Sequence, residues 1–140
     1  MAEFTHFKKD GSAVMVDVHE KPDTYRAASA TGTIQVSPEV FAAVRDHTAK
    51  KGDVLGVARL AGIMGAKKNA ELIPLCHIVP LTNCEVTFTT DENTNSITAV
   101  CTTSCVGKTG VEMEALTGVS TALLTIYDMC KAMDRGMVIR

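Results

Sequence analysis

Tryptophan is absent from this chain of 140 residues, and aromatic side chains make up only 4% of it. The hydrophobic core must therefore be built from Ala, Val, Leu, Ile and Met, a set that suits close packing of helices. No apolar run approaches the roughly 20 residues of a membrane-spanning helix, so no membrane partner is expected. The net charge of −2 provides no basic field for nucleic acid, although local cations can still hold an anionic small ligand.

Residues 1–10 lack the apolar stretch of a secretory signal, which favours a cytoplasmic protein. The five cysteines, an odd number, are then expected to be free thiols in a reducing compartment. Cys101 and Cys105 are separated by three residues, unlike the tight cysteine pairs of structural zinc sites, and a strand places both on one face. We therefore expect no metal site.

The length fits a single domain spanning residues 1–140. Runs of β-branched and apolar residues alternate with helical patterns in the order β-β-α-α-β-β-α-β. This order predicts an α+β fold, with helices packed on one face of an antiparallel sheet. The expected strands cover residues 15–18, 25–36, 83–90, 96–106 and 137–139, and the expected helices start at the caps Ser37 and Asp53 or cover residues 111–133.

The second helix carries apolar residues at helical spacing, which predict its core-facing side. Three glycines lie within it, although each costs roughly 1 kcal/mol against Ala in a helix interior. Such glycines indicate that another backbone lies close by. The expected core side consists of Val54, Val57, Leu60, Ala61 and Met64, and the glycines are Gly56, Gly62 and Gly65.

The last helix has two contrasting sides. One is apolar and predicts the core. The other has small residues and threonines in its middle and a carboxylate near each end, where a solvent-facing stripe usually carries several charges. This small-residue stripe indicates a covered surface, packed against another helix or another subunit. The stripe consists of Glu114, Thr117, Gly118, Thr121, Thr125 and Asp128, and the expected core side of Leu116, Val119, Ala122, Leu123, Ile126, Met129, Cys130 and Met133.

Three polar residues of the chain allow more than one interpretation. Asp128 and Lys131 are near neighbours on the last helix, and most such pairs are solvated surface ion pairs. The alternative is a charged pair in a closed site, where Asp128 moves protons and Lys131 holds phosphate or acts as an acid. His77 lies in an apolar segment between two prolines, either as a core residue or as a group that a rigid loop presents for acid–base chemistry.

The turn before the last helix, Gly107-Lys108-Thr109, is similar to the end of a P-loop, but Thr102 stands where that pattern needs a glycine. This mismatch, with the lack of a metal-binding carboxylate cluster, argues against a nucleotide phosphatase or kinase-like enzyme. The turn still offers free N–H groups to an anion. Glu112 and Glu114 lie in the first turn of the helix, where they favour the helix dipole, and the alternative to a site role is that they are helix-starting charges only. Two lysine doublets at residues 50–51 and 67–68 are solvated by default, but clustered at one site they would bind a triphosphate.

Taken in order, these segments resemble the molybdenum cofactor biosynthesis protein C family. The likeness covers nearly the whole chain, with the motifs in the family's order and spacing. The segments are Met15-Val16-Asp17-Val18, Lys51-Gly52-Asp53-Val54, Leu72-Ile73-Pro74-Leu75-Cys76-His77, Gly107-Lys108-Thr109-Gly110-Val111-Glu112-Met113-Glu114-Ala115-Leu116-Thr117 and Ala122-Leu123-Leu124-Thr125-Ile126-Tyr127-Asp128-Met129-Cys130-Lys131-Ala132.

The resemblance implies a ferredoxin-like fold and a homohexamer built as three dimers, with active sites at a dimer interface. It also implies a lyase, cyclic pyranopterin monophosphate synthase, in molybdenum cofactor (molybdopterin) biosynthesis. The implied substrate, (8S)-3′,8-cyclo-7,8-dihydroguanosine 5′-triphosphate, is rearranged to cyclic pyranopterin monophosphate and pyrophosphate. No redox change occurs and the sequence has no flavin or nicotinamide fingerprint, so no cofactor is expected.

By the same resemblance, Asp128 is the catalytic acid or base, while Lys51 and Lys131 supply charge and proton transfer. The alternative is a non-catalytic nucleotide-binding member of the fold, in which a site residue would be lost. Catalysis is favoured because the chain keeps Lys51, His77, Glu112, Glu114, Asp128 and Lys131. Family members usually continue into a Lys-x-Gly-Gly-Lys-Ser-Gly tail that helps bind the triphosphate. This sequence ends at Arg140, which implies either a tail outside it or binding with fewer lysines. The implied substrate-binding residues are Leu75, Cys76, His77, Glu112, Met113, Glu114 and Arg26.

Overall fold

A computed structural model describes residues 8–140 and shows an α+β fold, a four-stranded antiparallel sheet with helices packed on one face. The expectation that residues 1–10 form no secretory signal falls largely on residues 1–7, outside the described part. In chain order the elements are β1 (Thr24–Gln35), α1 (Pro38–Arg45), α2 (Val54–Lys67), α3 (Asn69–Leu72), β2 (Asn83–Asp91), β3 (Ser96–Gly107), α4 (Glu112–Cys130) and β4 (Val138–Ile139).

The sheet has the strand order β2-β3-β1-β4. Its centre is the pair β1 and β3, which run antiparallel along their full length from Thr24↔Gly107 to Gln35↔Ser96. Helical crossovers join β1 to β2 and β3 to β4, which is the ferredoxin-like connectivity. The expected fold class is therefore confirmed, as is the hairpin of β2 and β3.

The strand expected at residues 15–18 was wrong, because this segment does not join the sheet. Its period-two pattern is real, since Val14, Val16 and Val18 are half-buried and the residues between them are exposed. The covered side lies beside the loop after α3 instead, where the Val16 carbonyl accepts a hydrogen bond from the His77 ring. Alternation reports which side of an extended chain is covered, but it does not specify a strand partner.

The helix boundaries follow their capping residues. The Ser37 hydroxyl accepts a hydrogen bond from the Val40 N–H at 3.1 Å, with Pro38 in the first turn, and Asp53 caps α2 in the same way through Gly56. The short α3 was not expected. The last helix ends at Cys130, before the predicted residue 133, and β4 has two residues instead of three.

Of the predicted core side of α2, Val54 is buried and Ala61 is half-buried, but the three larger residues were predicted wrongly. Val57, Leu60 and Met64 are 45%, 59% and 49% exposed, whereas small residues of the opposite side are buried. A methyl group added at Gly62 would lie 3.1 Å from the Gly118 carbonyl oxygen of α4, so the two helix backbones nearly touch. Only small residues fit such a contact. The buried residues of α2 are Val54, Ala58, Gly62, Gly65 and Ala66.

The middle of the small-residue stripe on α4 is covered by α2 of the same chain, so it does not need another subunit. A methyl group at Gly65 would lie 2.7 Å from the Thr121 Cβ, and Gly118 is buried against Gly62. Of the predicted core side, Leu116 was wrong, because it is 47% exposed. The buried stripe is shared between the sheet and α2, which turns Leu116 outward. Buried as expected are Val119, Ala122, Leu123, Ile126, Met129 and Cys130.

All five cysteines are free thiols, as expected. Cys101 and Cys105 are fully buried on the helix-facing side of β3. Within residues 8–140, no helix combines the length and the apolar character that crossing a membrane requires.

Candidate active site

A pocket of about 840 Å³ opens at the N-terminal end of α4. Three segments wall it: residues 16–21, the loop after α3, and the turn leading into α4 with the start of that helix. Its lining is mainly apolar with a few polar groups, which is typical of small-molecule sites. Six of the seven substrate-binding residues implied by the resemblance line it, namely Leu75, Cys76, His77, Glu112, Met113 and Glu114.

An adjoining pocket of about 650 Å³ shares Cys76, His77 and Thr109 with the first and extends toward Lys108. The Lys108 ammonium donates to the carbonyl oxygens of His19 at 3.4 Å and Lys21 at 3.3 Å. Lys108 therefore holds the turn at residues 19–21 against the end of the sheet. This turn brings Lys21 into the lining of the larger pocket.

The hydrogen bond from His77 defines how its ring is presented. A carbonyl oxygen can only accept, so Nε2 carries the proton that is donated to Val16. The neutral ring consequently keeps its lone pair on Nδ1. The side chain is half-buried and lines both pockets, which favours presentation by a rigid loop over a role in the core.

Glu114 is a buried carboxyl group in the pocket wall, with only 4% of its surface exposed. Burial raises the pKa of Glu114, while hydrogen bonds from its own backbone N–H and from Asn69 oppose the rise, and nearby Glu112 adds to it. A carboxyl group with a raised pKa in a pocket can exchange protons closer to neutral pH than an ordinary glutamate. Glu112 is exposed, and its carboxylate lies against the Gly110 Cα.

The remaining charged residues form a second group at the other end of α4. The Lys131 Nζ donates to the Asp128 Oδ1 at 2.8 Å. The Lys51 Nζ lies 3.6 Å from the Asp128 Oδ2 and donates to the Asp128 backbone oxygen at 3.2 Å. The hydrogen bond and charge of Lys131, followed by the charge of Lys51, lower the pKa of Asp128, so this carboxylate is ionised at neutral pH. All three side chains are about half-exposed.

The two groups do not meet within one chain. Glu112 and Asp128 are separated by 16 residues of one continuous helix, or about 24 Å at 1.5 Å per residue. The lysine doublets likewise lie at opposite ends of α2. Arg26 lines neither pocket; it lies on β1, where its Nε donates to the Gly107 carbonyl oxygen at 3.4 Å.

Two residues near Glu114 and the pocket were missed from the sequence. Lys21 lies in a polar turn and resembles an ordinary solvated lysine. Asn69 follows a lysine doublet, yet it is 1% exposed and binds Glu114. No sequence pattern marks either of them, because their positions depend on packing between distant segments.

These observations define a class: an α+β protein of ferredoxin-like connectivity, with a mainly apolar pocket beside a buried glutamate and a separate carboxylate–lysine cluster. Residues 15–140 match the MoaC family, so the match covers nearly the whole chain. The chain belongs to the MoaC family, and the resemblance found in its sequence is confirmed. Membership assigns it a role in molybdenum cofactor biosynthesis.

Metal-ligating side chains do not cluster in the described part of the chain. No group of three or more His, Cys, Asp or Glu residues there is arranged to hold an ion. The expectations of no metal and no cofactor stay predictions.

Proposed function

We propose that this chain is a cyclic pyranopterin monophosphate synthase, a lyase. Its substrate is the 3′,8-cyclised dihydro-GTP, and its products are cyclic pyranopterin monophosphate and pyrophosphate. The MoaC family is known for this activity, which supports the proposal. The observation that carries it is the common pocket of the six implied substrate-binding residues, which includes a buried carboxyl group.

The reaction rebuilds a purine-derived ring, which requires several proton transfers. It also closes a cyclic phosphate: a substrate hydroxyl bonds to the α-phosphorus as the bond to pyrophosphate breaks. We assign Glu114 and His77 to proton transfers, because one has a raised pKa and the other a defined tautomer. Asp128 is ionised and suited to accept a proton. Its two lysine neighbours neutralise the charge that develops on the departing pyrophosphate.

The separation of the two residue groups supports a site formed by two chains. About 24 Å of helix lies between Glu112 and Asp128, so one substrate molecule cannot contact both within one chain. A two-fold axis across the middle of α4 brings the C-terminal end of one helix beside the N-terminal end of the other. Each dimer then has two complete sites, and three dimers form the proposed hexamer.

The outer faces of α2 and α4 support a second copy as the occupant of this interface. Their large apolar side chains remain exposed, which is unusual for helices of a folded monomer. Because both helices carry such residues, the apolar surface extends along the α2–α4 pair. A second copy bound to this surface would lie where it can bring the residue group at one end of α4 beside the group at the other end. The exposed residues are Val57, Leu60 and Met64 of α2 with Leu116 and Leu124 of α4.

The test is an assay of pyrophosphate and pterin product from cyclised dihydro-GTP. Asp128→Asn is expected to lower kcat at least about 100-fold, the usual effect of losing a proton-transfer group. Asp46→Asn is the matched control. Asp46 is also an exposed carboxylate whose pKa is lowered by a neighbouring cation, in this case Arg45. Equal activity of the two variants would remove Asp128 from the mechanism.

A mixing experiment tests the composite site. Asp128→Asn and Glu114→Gln are each expected to be inactive alone. After the two are mixed and allowed to exchange chains, mixed dimers regain one intact site, so activity returns to about a quarter of the wild-type value for random pairing. A mixture that stays inactive although exchange is verified by mass spectrometry contradicts a shared site. Sedimentation velocity measures whether the assembly is a hexamer.

The alternative, a non-catalytic nucleotide-binding member, predicts binding of cyclised dihydro-GTP without turnover in the wild-type chain and Asp128→Asn alike. Location in the cytoplasm, a single domain and the absence of nucleic-acid or membrane partners complete the proposal. The free thiols support the first of these, because such thiols persist in a reducing compartment. Cell fractionation tests it directly.

A further inference from the structure

Glu114 is held by a chain of side-chain hydrogen bonds that leads away from the pocket. The Asn69 Nδ2 donates to the Glu114 Oε2 at 3.1 Å. Behind it, the Thr117 hydroxyl donates to the Asn69 Oδ1 at 2.6 Å. Asn69 is almost fully buried, while Thr117 lies one helical turn beyond Glu114 on α4. Each polar group in this chain therefore has a defined partner.

The Thr117 hydroxyl holds the far end of the Asn69 amide in place behind the carboxyl group. With the amide as observed, an N–H group points at Glu114 and stabilises its ionised form. With the amide flipped, Oδ1 faces a carboxylate oxygen, an arrangement that is favourable only when Glu114 is protonated. Because a hydroxyl can donate or accept, Thr117 can hold the amide in either arrangement, and the charge of Glu114 selects the first one.

We propose that Asn69, held in place by Thr117, is a positioning residue that fixes the Glu114 carboxyl group in the pocket wall and keeps its ionised form accessible. Its effect on turnover rests on the proposed synthase function, whereas its effect on Glu114 does not. Asn69 also begins the short helix α3, whose end is tied by the bond from the Ile73 N–H to the Asn69 carbonyl at 2.9 Å. The same residue thus anchors the start of the loop that carries His77.

The other charged or titratable groups around Glu114 come from five segments of the chain. Glu112 on α4 and the buried Cys105 on β3 interact with it electrostatically. His77 and Lys21 line the same pocket as Glu114, and Arg26 interacts electrostatically with Cys105. Asn69 supplies the side-chain hydrogen bond that opposes the effect of burial on the pKa of Glu114.

The first test titrates Glu114 without substrate, by carbon NMR of the labelled carboxyl group, assigned by its loss in Glu114→Gln. Asn69→Leu is expected to move the titration to higher pH by about one unit, the usual size of one such hydrogen bond to a charged group. Thr117→Val is expected to shift it in the same direction by less, and Thr117→Ser to restore it. Thr125→Val is the matched control, because the Thr125 hydroxyl bonds only within α4, to the Thr121 carbonyl at 2.8 Å.

The second test measures the pH profile of kcat/KM for pyrophosphate release. The limb that reports Glu114 is expected to move to higher pH in Thr117→Val, with a loss of about threefold to tenfold below its midpoint and none in Thr125→Val. An unchanged NMR titration in both Asn69→Leu and Thr117→Val would overturn the proposal. A wild-type chain that fails to turn over cyclised dihydro-GTP would contradict the proposed function and leave the titration result standing.

Discussion

The contact between α2 and α4 at Gly118 gives a stability prediction that can be worked from distances. A methyl group added by Gly118→Ala would lie 2.6 Å from the Cys101 Sγ, 3.1 Å from the Gly62 carbonyl oxygen and 3.2 Å from the Ala66 Cβ. The first distance is shorter than any normal contact, and the thiol is fully buried. The helices or the strand beneath them must therefore move.

The expected loss combines two opposing effects. Overpacking a well-packed core costs about 1–3 kcal/mol, whereas replacing a helical glycine by alanine gains up to about 1 kcal/mol. We expect Gly118→Ala to lower the free energy of unfolding by about 1–2 kcal/mol. The matched control is Gly107→Ala, where the nearest atom, the Cys105 Sγ, lies at an ordinary 3.5 Å and little change is expected.

The assay is urea unfolding followed by circular dichroism, at one fixed protein concentration because subunit association shifts apparent stability. Cys101→Ala removes the thiol that meets the new methyl group, so the double variant should lose at least about 0.5 kcal/mol less than the sum of the single losses. The Gly62 carbonyl remains, which makes the relief partial. Wild-type stability of Gly118→Ala, or strict additivity in the double variant, would refute the close contact.

Three further predictions concern titration and reactivity. The neighbouring Lys131 and Lys51 lower the pKa of Asp128 in the folded chain, so the ionised carboxylate stabilises the fold fully above its unfolded-state pKa, and this stabilisation is lost as the pH falls through the folded-state pKa. Asp128→Asn should therefore have a lower urea unfolding midpoint than wild type at pH 7 and an equal midpoint below both pKa values. Burial raises the pKa of Glu114, so ionisation of this carboxyl group destabilises the fold as the pH rises through the carboxyl range. Over that pH interval the urea unfolding midpoint of Glu114→Gln should rise relative to that of wild type. Iodoacetamide should label Cys76 well before Cys101, whose pKa burial raises to about 12, as peptide mass spectrometry can show; equal rates would contradict the buried position of Cys101.

The sequence predicted much of the secondary structure, because the signals for it are local. Ser37 with Pro38 and Asp53 marked helix starts through hydrogen bonds within four residues of the chain. The polar turn between two β-rich runs predicted the hairpin for the same reason. The segment at residues 15–18 shows the limit of such patterns. Its alternation indicated a covered side correctly, but the cover is a loop 61 residues away, at His77.

The face of α2 that is buried could not be predicted from spacing. Two stripes of the helix satisfy helical periodicity, and hydrophobicity favours the stripe with Val57, Leu60 and Met64. The backbone contact at Gly62 selects the small-residue stripe and leaves the larger residues exposed. Glycines in a helix interior were the better signal, since they indicated a close neighbour before its identity was known.

The sequence by itself determined the family, the fold class and the chemical character of the candidate site, because long motifs such as the one from Gly107 to Thr117 are specific without coordinates. Tertiary structure alone decided where those residues lie. It brought Lys51 to Asp128 across 77 residues, gathered six pocket residues from two segments, and held the two groups at opposite ends of α4. It also buried Asn69 against Glu114. The physical reason is that periodicity and capping act within one or two helical turns, whereas contacts between distant segments depend on how the whole core packs.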